Sequence, residues 1–231
     1  MTLGRIEQQE RARTALSHGQ SAILWHEMIA DTETPVSAAL KLFEEGRGDF
    51  ILESVEGGAV RGRYSLIGIA PDLLFRADGD RAEINRQWLT DCAAFEPAGA
   101  DPLSALRALV DACRIDMPAE LPPAFACLVE HFGYETIGLV EKLPRPPANP
   151  IGLPDMLFVR PTVVLVFDRL ADRLYIASPI WPDGGDTERK IALAVDRIEE
   201  AAAKLALPVP LHMQNNPTPS LPEPKPVLKS G

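Results

Sequence analysis

Phe50-Ile-Leu-Glu-Ser54 and, nine residues on, Arg63-Tyr-Ser-Leu-Ile-Gly-Ile69 decide how this chain folds. Phe50, Ile51 and Leu52 favour a strand, as do Tyr64, Leu66, Ile67 and Ile69. Glu56-Gly57-Gly58 separates the two runs and reads as a turn, so the runs are expected to pair. Polar groups crowd the end nearest that turn: Glu53 and Ser54 close the first strand, and Arg63 and Ser65 open the second. Pairing therefore gathers a carboxylate, a hydroxyl and a guanidinium at one rim of a sheet. Such a rim suits a small zwitterion, with Glu53 meeting an ammonium, Arg63 a carboxylate, and Ser54 donating or accepting a hydrogen bond. An exposed hairpin end carrying solvated charges has the same composition.

Outward from this hairpin the pattern is α+β, antiparallel sheets packed with helices. Ile23-Leu24-Trp25 reads as a short strand. Thr34 caps a helix opened by Pro35, with Val36, Leu40 and Phe43 as its apolar face and Gly46 closing it. Leu73–Ala77 and Arg81–Arg86 flank Asp78-Gly79, a strong hairpin signal. Asp101-Pro102 starts a second helix with Leu103, Leu106, Val110 and Cys113 at helical spacing. Ala124–Val129 is predicted as a buried strand and Tyr134–Glu141 as a short helix, before a stiff loop of Pro144, Pro146, Pro147 and Pro150. Val159–Phe167 and Arg173–Ala177 form a second hairpin through Ala171-Asp172. Asp186 or Thr187 caps the longest helix, with Ile191, Val195, Ile198 and Ala202 inward and Glu199, Glu200 and Lys204 outward. From Pro208 the prolines alternate with small and polar residues, which sustains neither helix nor ladder.

Composition narrows the function. The 231 residues are 46% hydrophobic, enough for one large or two small cores. With 23 Lys and Arg against 33 Asp and Glu the net charge is −10, which disfavours nucleic acid and anionic membrane as partners. Three cysteines, Cys92, Cys113 and Cys127, form no CxxC pair, and Cys113 and Cys127 sit in apolar surroundings as core thiols. So sparse a count fits a reducing compartment. No apolar run approaches the roughly 18 residues of a membrane span, and Arg5, Glu7, Glu10, Arg11 and Arg13 break up any leader-like N-terminus, so the expected location is the cytoplasm. His26 and His131 read as structural, His131 as a buried, hydrogen-bonded ring. Gly57-Gly58 and Gly184-Gly185 match no phosphate-binding pattern and are turns.

Several motifs in order carry a family resemblance. Thr34-Pro-Val-Ser-Ala38, Phe50-Ile-Leu-Glu-Ser-Val-Glu-Gly-Gly58 and Gly62-Arg-Tyr-Ser-Leu-Ile-Gly68 are followed by Gly133-Tyr-Glu135, Glu141-Lys-Leu-Pro144, Leu153-Pro-Asp155 and Val166-Phe-Asp168. From about Thr32 to about Ser178 the chain resembles the N-terminal region of anthranilate synthase component I, a chorismate-using enzyme of tryptophan biosynthesis. The resemblance implies the N-terminal half of that fold. It also implies an inhibitory L-tryptophan site at a Leu-Leu-Glu-Ser signature, matched here by Leu52, Glu53 and Ser54 with Ile51 in place of the first leucine. Glu53 and Ser54 are the site residues it nominates.

The same resemblance implies a whole enzyme that converts chorismate and ammonia to anthranilate and pyruvate. A glutamine amidotransferase subunit (component II) supplies the ammonia, and Mg²⁺ and chorismate bind in a C-terminal half. The expected organisation is an N-terminal extension and first strand over 1–30, the component I N-terminal domain over 31–207, and a proline-rich linker over 208–231 toward a chorismate-binding domain not present. No catalytic residue and no metal ligand is expected in this chain, and alone it is expected to be inactive. Two further readings stay open: aminodeoxychorismate synthase component I of the folate pathway, and a stand-alone amino-acid-binding module.

Overall fold

Two turns legible in the sequence set the frame. Gly79, at φ 56°, brings Asp78 opposite Arg81, and Asp172, at φ 51°, brings Asp168 opposite Arg173. Glycine and aspartate tolerate this left-handed backbone better than branched residues do. The computed structural model describes residues 4–56, 60–99, 101–141, 149 and 152–210, side chains of 54–56, 60 and 61 excepted. The first half comprises α1 (Arg5–Ser17), β1 (Ala22–Ile29), α2 (Pro35–Leu42), β2 (Phe50–Glu56), β3 (Val60–Asp78), β4 (Arg81–Asn85) and β5 (Glu96–Pro97). There follow α3 (Pro102–Ala112), β6 (Val129–Phe132), a 3₁₀ turn (Tyr134–Leu139), β7 (Met156–Asp168), β8 (Arg173–Ile180) and α4 (Thr187–Leu205).

Among the described residues eight strands make one antiparallel sheet in the order β1-β8-β7-β3-β4-β5, with β2 also on β3 and β6 also on β7. β3 and β7 change partners along their length: β3 holds β2 at one end and β4 at the other, β7 holds β6 and then β8. The change falls at a corner. Pro71 lies opposite Pro161, where neither residue has an N–H to offer, and the register shifts between Pro71 and Leu73. Ala70 takes φ 50° there. Its N–H donates to Asp49 Oδ1 at 2.8 Å, and its carbonyl accepts from Thr162 Oγ1 at 2.8 Å. The stretches predicted as separate strands over 64–69 and 73–77 are thus one bent strand.

Alternation along β7 serves two cores. Val163, Leu165 and Phe167 join Leu24, Ile67 and Ile176 under α1, α2 and α4. Val164, Val166 and Phe158 join Trp25, Leu73 and Phe75 under α3 and the segment after it. Each such side chain contributes about 1.5–3 kcal/mol on full burial. The helix starts follow their caps: Thr34 with Ser37 as a capping box, Asp101 accepting from Ser104 N, and Asp186 accepting from Arg189 N. α4 buries Ile191, Ala194, Ile198, Ala201 and Leu205, with Val195 and Ala202 half-buried beside them.

Four expectations are corrected. α2 turns Ala38 and Leu42 inward and leaves Val36 and Leu40 exposed, because α4 packs on the alanine side. α3 likewise buries Leu109 and exposes Val110. Residues 124–128 are irregular, although Phe125 and Cys127 are buried, and strand pairing begins only at Val129. His131 is exposed, since the short β6 lies at the sheet's margin. α1 was not signalled by any apolar stripe; Gln8 accepts from Trp25 N at 2.9 Å, Arg13 pairs with Glu188 at 2.6 Å and Arg5 pairs with Glu199. The Gly57-Gly58 turn, the Pro144–Pro150 loop and the proline-rich stretch beyond Pro210 lie outside the described residues.

Candidate functional site at the β2–β3 rim

Register decides what the rim presents. Phe50 pairs with Gly68, Ile51 with Ile67, Leu52 with Leu66 and Glu53 with Ser65, after which the register shifts and Val55 meets Arg61. Gly68 is required by packing: a Cβ there would lie 2.2 Å from Phe50 Cζ. Alternation puts Glu53 and Ser65 on the face that carries Ile51 and Ile67, and Leu52 and Leu66 on the other. Ser54 sits at the irregularity itself, where a bulge re-aims side chains; its own side chain lies outside the described residues.

The structure brings Glu53 and Ser65 together and adds a guanidinium that the sequence did not nominate. Arg169 Nη2 donates to Glu53 Oε1 at 2.8 Å and to the buried Ser65 Oγ at 3.1 Å. Its position is fixed from β3, since Arg169 N donates to Arg63 O at 3.0 Å. Arg169 and Glu53 are 116 residues apart in sequence, so no local spacing could have linked them.

Arg63 is corrected. The sequence offers it to a ligand carboxylate, but its Nε and Nη2 fork onto Asp168 at 2.9 and 2.6 Å. Asp168 ends β7 opposite Tyr64, one residue from Arg63, and a planar guanidinium matches a carboxylate in two parallel bonds. Asp168 also accepts from Leu170 N at 3.1 Å and Ala171 N at 3.3 Å. Arg63, and then these amides, hold the Asp168 carboxyl below its ordinary value despite its burial, and Asp168 in turn raises Arg63. The Arg63 guanidinium also lies 4.8 Å from the centre of the Tyr64 ring. Beside Arg169 a cleft of about 210 Å³ opens toward Thr34, Pro35 and Phe167.

Elsewhere the nominated side chains do not converge. His26 is exposed, as is Cys92, while Cys113 and Cys127 are buried. Among the described residues no group of three or more His, Cys, Asp and Glu is placed to hold a metal ion. No helix among them is long and apolar enough to cross a membrane.

Fold and rim together define an α+β domain whose polar chemistry collects where β2 leaves β3. No family model matches the chain. It is 43% identical over 188 residues to anthranilate synthase component 1 of Cereibacter sphaeroides, a match covering 81% of this chain and 38% of that protein. It is 35% identical over 178 residues to anthranilate synthase component 1 of Thermus thermophilus, covering 74% of this chain and 35% of the relative. The crystal structure of anthranilate synthase component I from Streptococcus pneumoniae shares the fold, with a TM-score of 0.51 and 21% identity over 79% of this chain and 37% of that one. Over the residues it shares with these relatives, the chain belongs to the anthranilate synthase component 1 family. It spans a little over a third of their length.

Proposed function

We propose that this chain is the tryptophan-sensing part of an anthranilate synthase component 1. The observation that carries the proposal is Glu53, held opposite Ser65 with Arg169 in hydrogen-bond contact, inside the segment that resembles the family's inhibitory signature. A zwitterion entering this rim exchanges one ion pair for two. Its ammonium takes Glu53, its carboxylate takes the guanidinium of Arg169 that Glu53 releases, and Ser54 supplies a hydroxyl at the bulge. Each new contact is a charge-assisted hydrogen bond, stronger than a neutral one. The apolar body of tryptophan distinguishes it from smaller zwitterions through buried area, at about 25 cal/mol per Å².

Turnover belongs, in this proposal, to the part of the relatives that the match leaves uncovered. The complete protein converts chorismate and ammonia to anthranilate and pyruvate, with ammonia delivered by a glutamine amidotransferase partner, component II.

The test is inhibition of the complete enzyme by tryptophan in Ser54→Ala and Ser54→Phe variants. Losing one hydrogen-bond partner of a desolvated polar group costs about 1–3 kcal/mol. The half-inhibitory tryptophan concentration, measured relative to each variant's own uninhibited rate, should therefore rise roughly five- to 150-fold. Variants as sensitive as the parent would remove Ser54 from the pocket. Identification of the product in the same assay, anthranilate or aminodeoxychorismate, decides between the two chorismate enzymes.

A further inference from the structure

Far from the rim, on the opposite face of the sheet, α3 does not seal against the strands beneath it. One edge of the helix carries half-buried Ala105 and exposed Ala108 and Ala112, and these small side chains line, with Leu73, Phe75 and Ile84, a cavity of about 440 Å³ open at its mouth. That volume falls within the roughly 300–1,000 Å³ of small-molecule sites. The walls are apolar, but one end is not. Arg160, opposite Leu73 on β7, shares this face and reaches the cavity with its side chain 11% exposed. Its Nε and Nη2 donate to Asp72 at 2.8 and 3.0 Å, and the ring of Trp181 lies 4.8 Å from the guanidinium carbon.

Asp72 does not engage every donor at this end. A guanidinium has five N–H donors in a planar fork, and Asp72 is the one carboxylate ion-paired with Arg160 among the described residues. Arg86, at the mouth of the cavity, is paired with Glu96, and Asp183 on the same mouth with Lys190, so those pairs cancel.

We propose that this cavity is a second ligand site, one that takes a flat aromatic carboxylate with its ring between α3 and the strands and its carboxylate on the donors of Arg160 that Asp72 and the Cys113 thiol leave. The aromatic body replaces packing that alanines leave unmade, and Trp181 offers an edge-on or stacked contact. The carboxylate meets donors of Arg160 at the end of the cavity where that side chain is 11% exposed, and a charge-assisted contact is strong there.

The probe is 2-naphthoate, titrated into the 231-residue chain by calorimetry and by tryptophan fluorescence, with 2-naphthamide as the uncharged control. Saturable binding of the acid is expected, tighter than the amide by on the order of tenfold or more, because the amide loses a charge-assisted contact. Ala108→Leu, an exposed helix position that keeps good helix propensity, should weaken the acid by on the order of tenfold by filling the slot, with an unfolding midpoint close to the parent's. Absence of saturable binding, equal affinity for acid and amide, or an Ala108→Leu variant that binds like the parent would each overturn the site.

Discussion

Two arginine–aspartate forks tie β3 to β7, and they are nearly superimposable as chemistry. At the rim Arg63 meets Asp168 at 2.9 and 2.6 Å, and at the corner Arg160 meets Asp72 at 2.8 and 3.0 Å. Their settings differ. The rim guanidinium is 48% exposed, whereas the corner guanidinium is 11% exposed and backed by Trp181. A charge pair in water gains little, because solvent already satisfied both ions. A withdrawn pair is bound more strongly, and breaking it strands the remaining charge. The same bond geometry therefore withdraws the cation at the corner and the anion at the rim, where Asp168 is 5% exposed and also held by Leu170 N and Ala171 N.

The largest effect should come from breaking the corner. Asp72→Ala leaves Arg160 withdrawn from water without its carboxylate, at a cost of about 3–5 kcal/mol. At about 2–4 °C per kcal/mol, the melting midpoint should fall by roughly 6–20 °C. An apolar double replacement, Asp72→Leu with Arg160→Met, should recover most of that loss. A single variant that melts with the parent would erase the distinction between the two forks.

Next in size is Gly68→Ala, which tests whether packing or charge secures β2. The new Cβ meets the Phe50 ring at 2.2 Å, so the cost should be about 1–3 kcal/mol in urea unfolding. Phe50→Leu in the same chain should relieve it. If it does not, β2 is held by something other than this contact.

At the rim itself Arg63→Ala should cost about 1 kcal/mol, because the half-exposed guanidinium gains little in water and Leu170 N and Ala171 N still satisfy the buried Asp168 carboxylate. Its pH signature is more telling than its size. The folded-state value of Asp168 is held below the ordinary carboxylate value, which is about 3.9 in the unfolded chain. Between the two values the unfolded chain binds the extra proton, so this stabilisation is complete above about pH 4 and fades as pH falls through the lower folded value. Urea unfolding from pH 7 to pH 2 should show a shallower acid limb in Asp168→Asn. An unchanged limb would mean that Arg63 does not hold Asp168 in solution.

The smallest expected effect is chemical. Iodoacetamide should label exposed Cys92 in the native chain, while Cys113 and Cys127 stay protected. Burial raises both thiols, that of Cys127 to about 12, so neither supplies thiolate near neutrality. Rapid native labelling of Cys127 would show that the cover after α3 opens.

Local chemistry was legible, and distant partnership was not. Asp78-Gly79 and Asp172 announce their turns because left-handed backbone restricts residue choice. Asp186 announces α4 because an unmet N–H at a helix start calls for an oxygen. The β2–β3 pairing follows from two apolar runs on either side of Glu56-Gly57-Gly58, whereas the register that sets Glu53 opposite Ser65 does not. The faces of α2 and α3 were misjudged because both sides of each carry apolar residues. A short helix with two apolar stripes buries whichever one its neighbour covers. The strand predicted over 124–129 failed for a related reason: burial alone does not distinguish a ladder from a loop packed under a helix.

By itself, then, the sequence determined the turns at Gly79 and Asp172, the caps and the paired strands, all of which depend on groups close together along the chain. Only the tertiary structure decided that β3 runs unbroken through Pro71, with Asp49 satisfying Ala70. It alone turned Arg63 onto Asp168 and brought Arg169 to Glu53 across 116 residues. Those pairings are set by the bend of the sheet, and the bend is the joint solution of many packing contacts that no short stretch of sequence encodes.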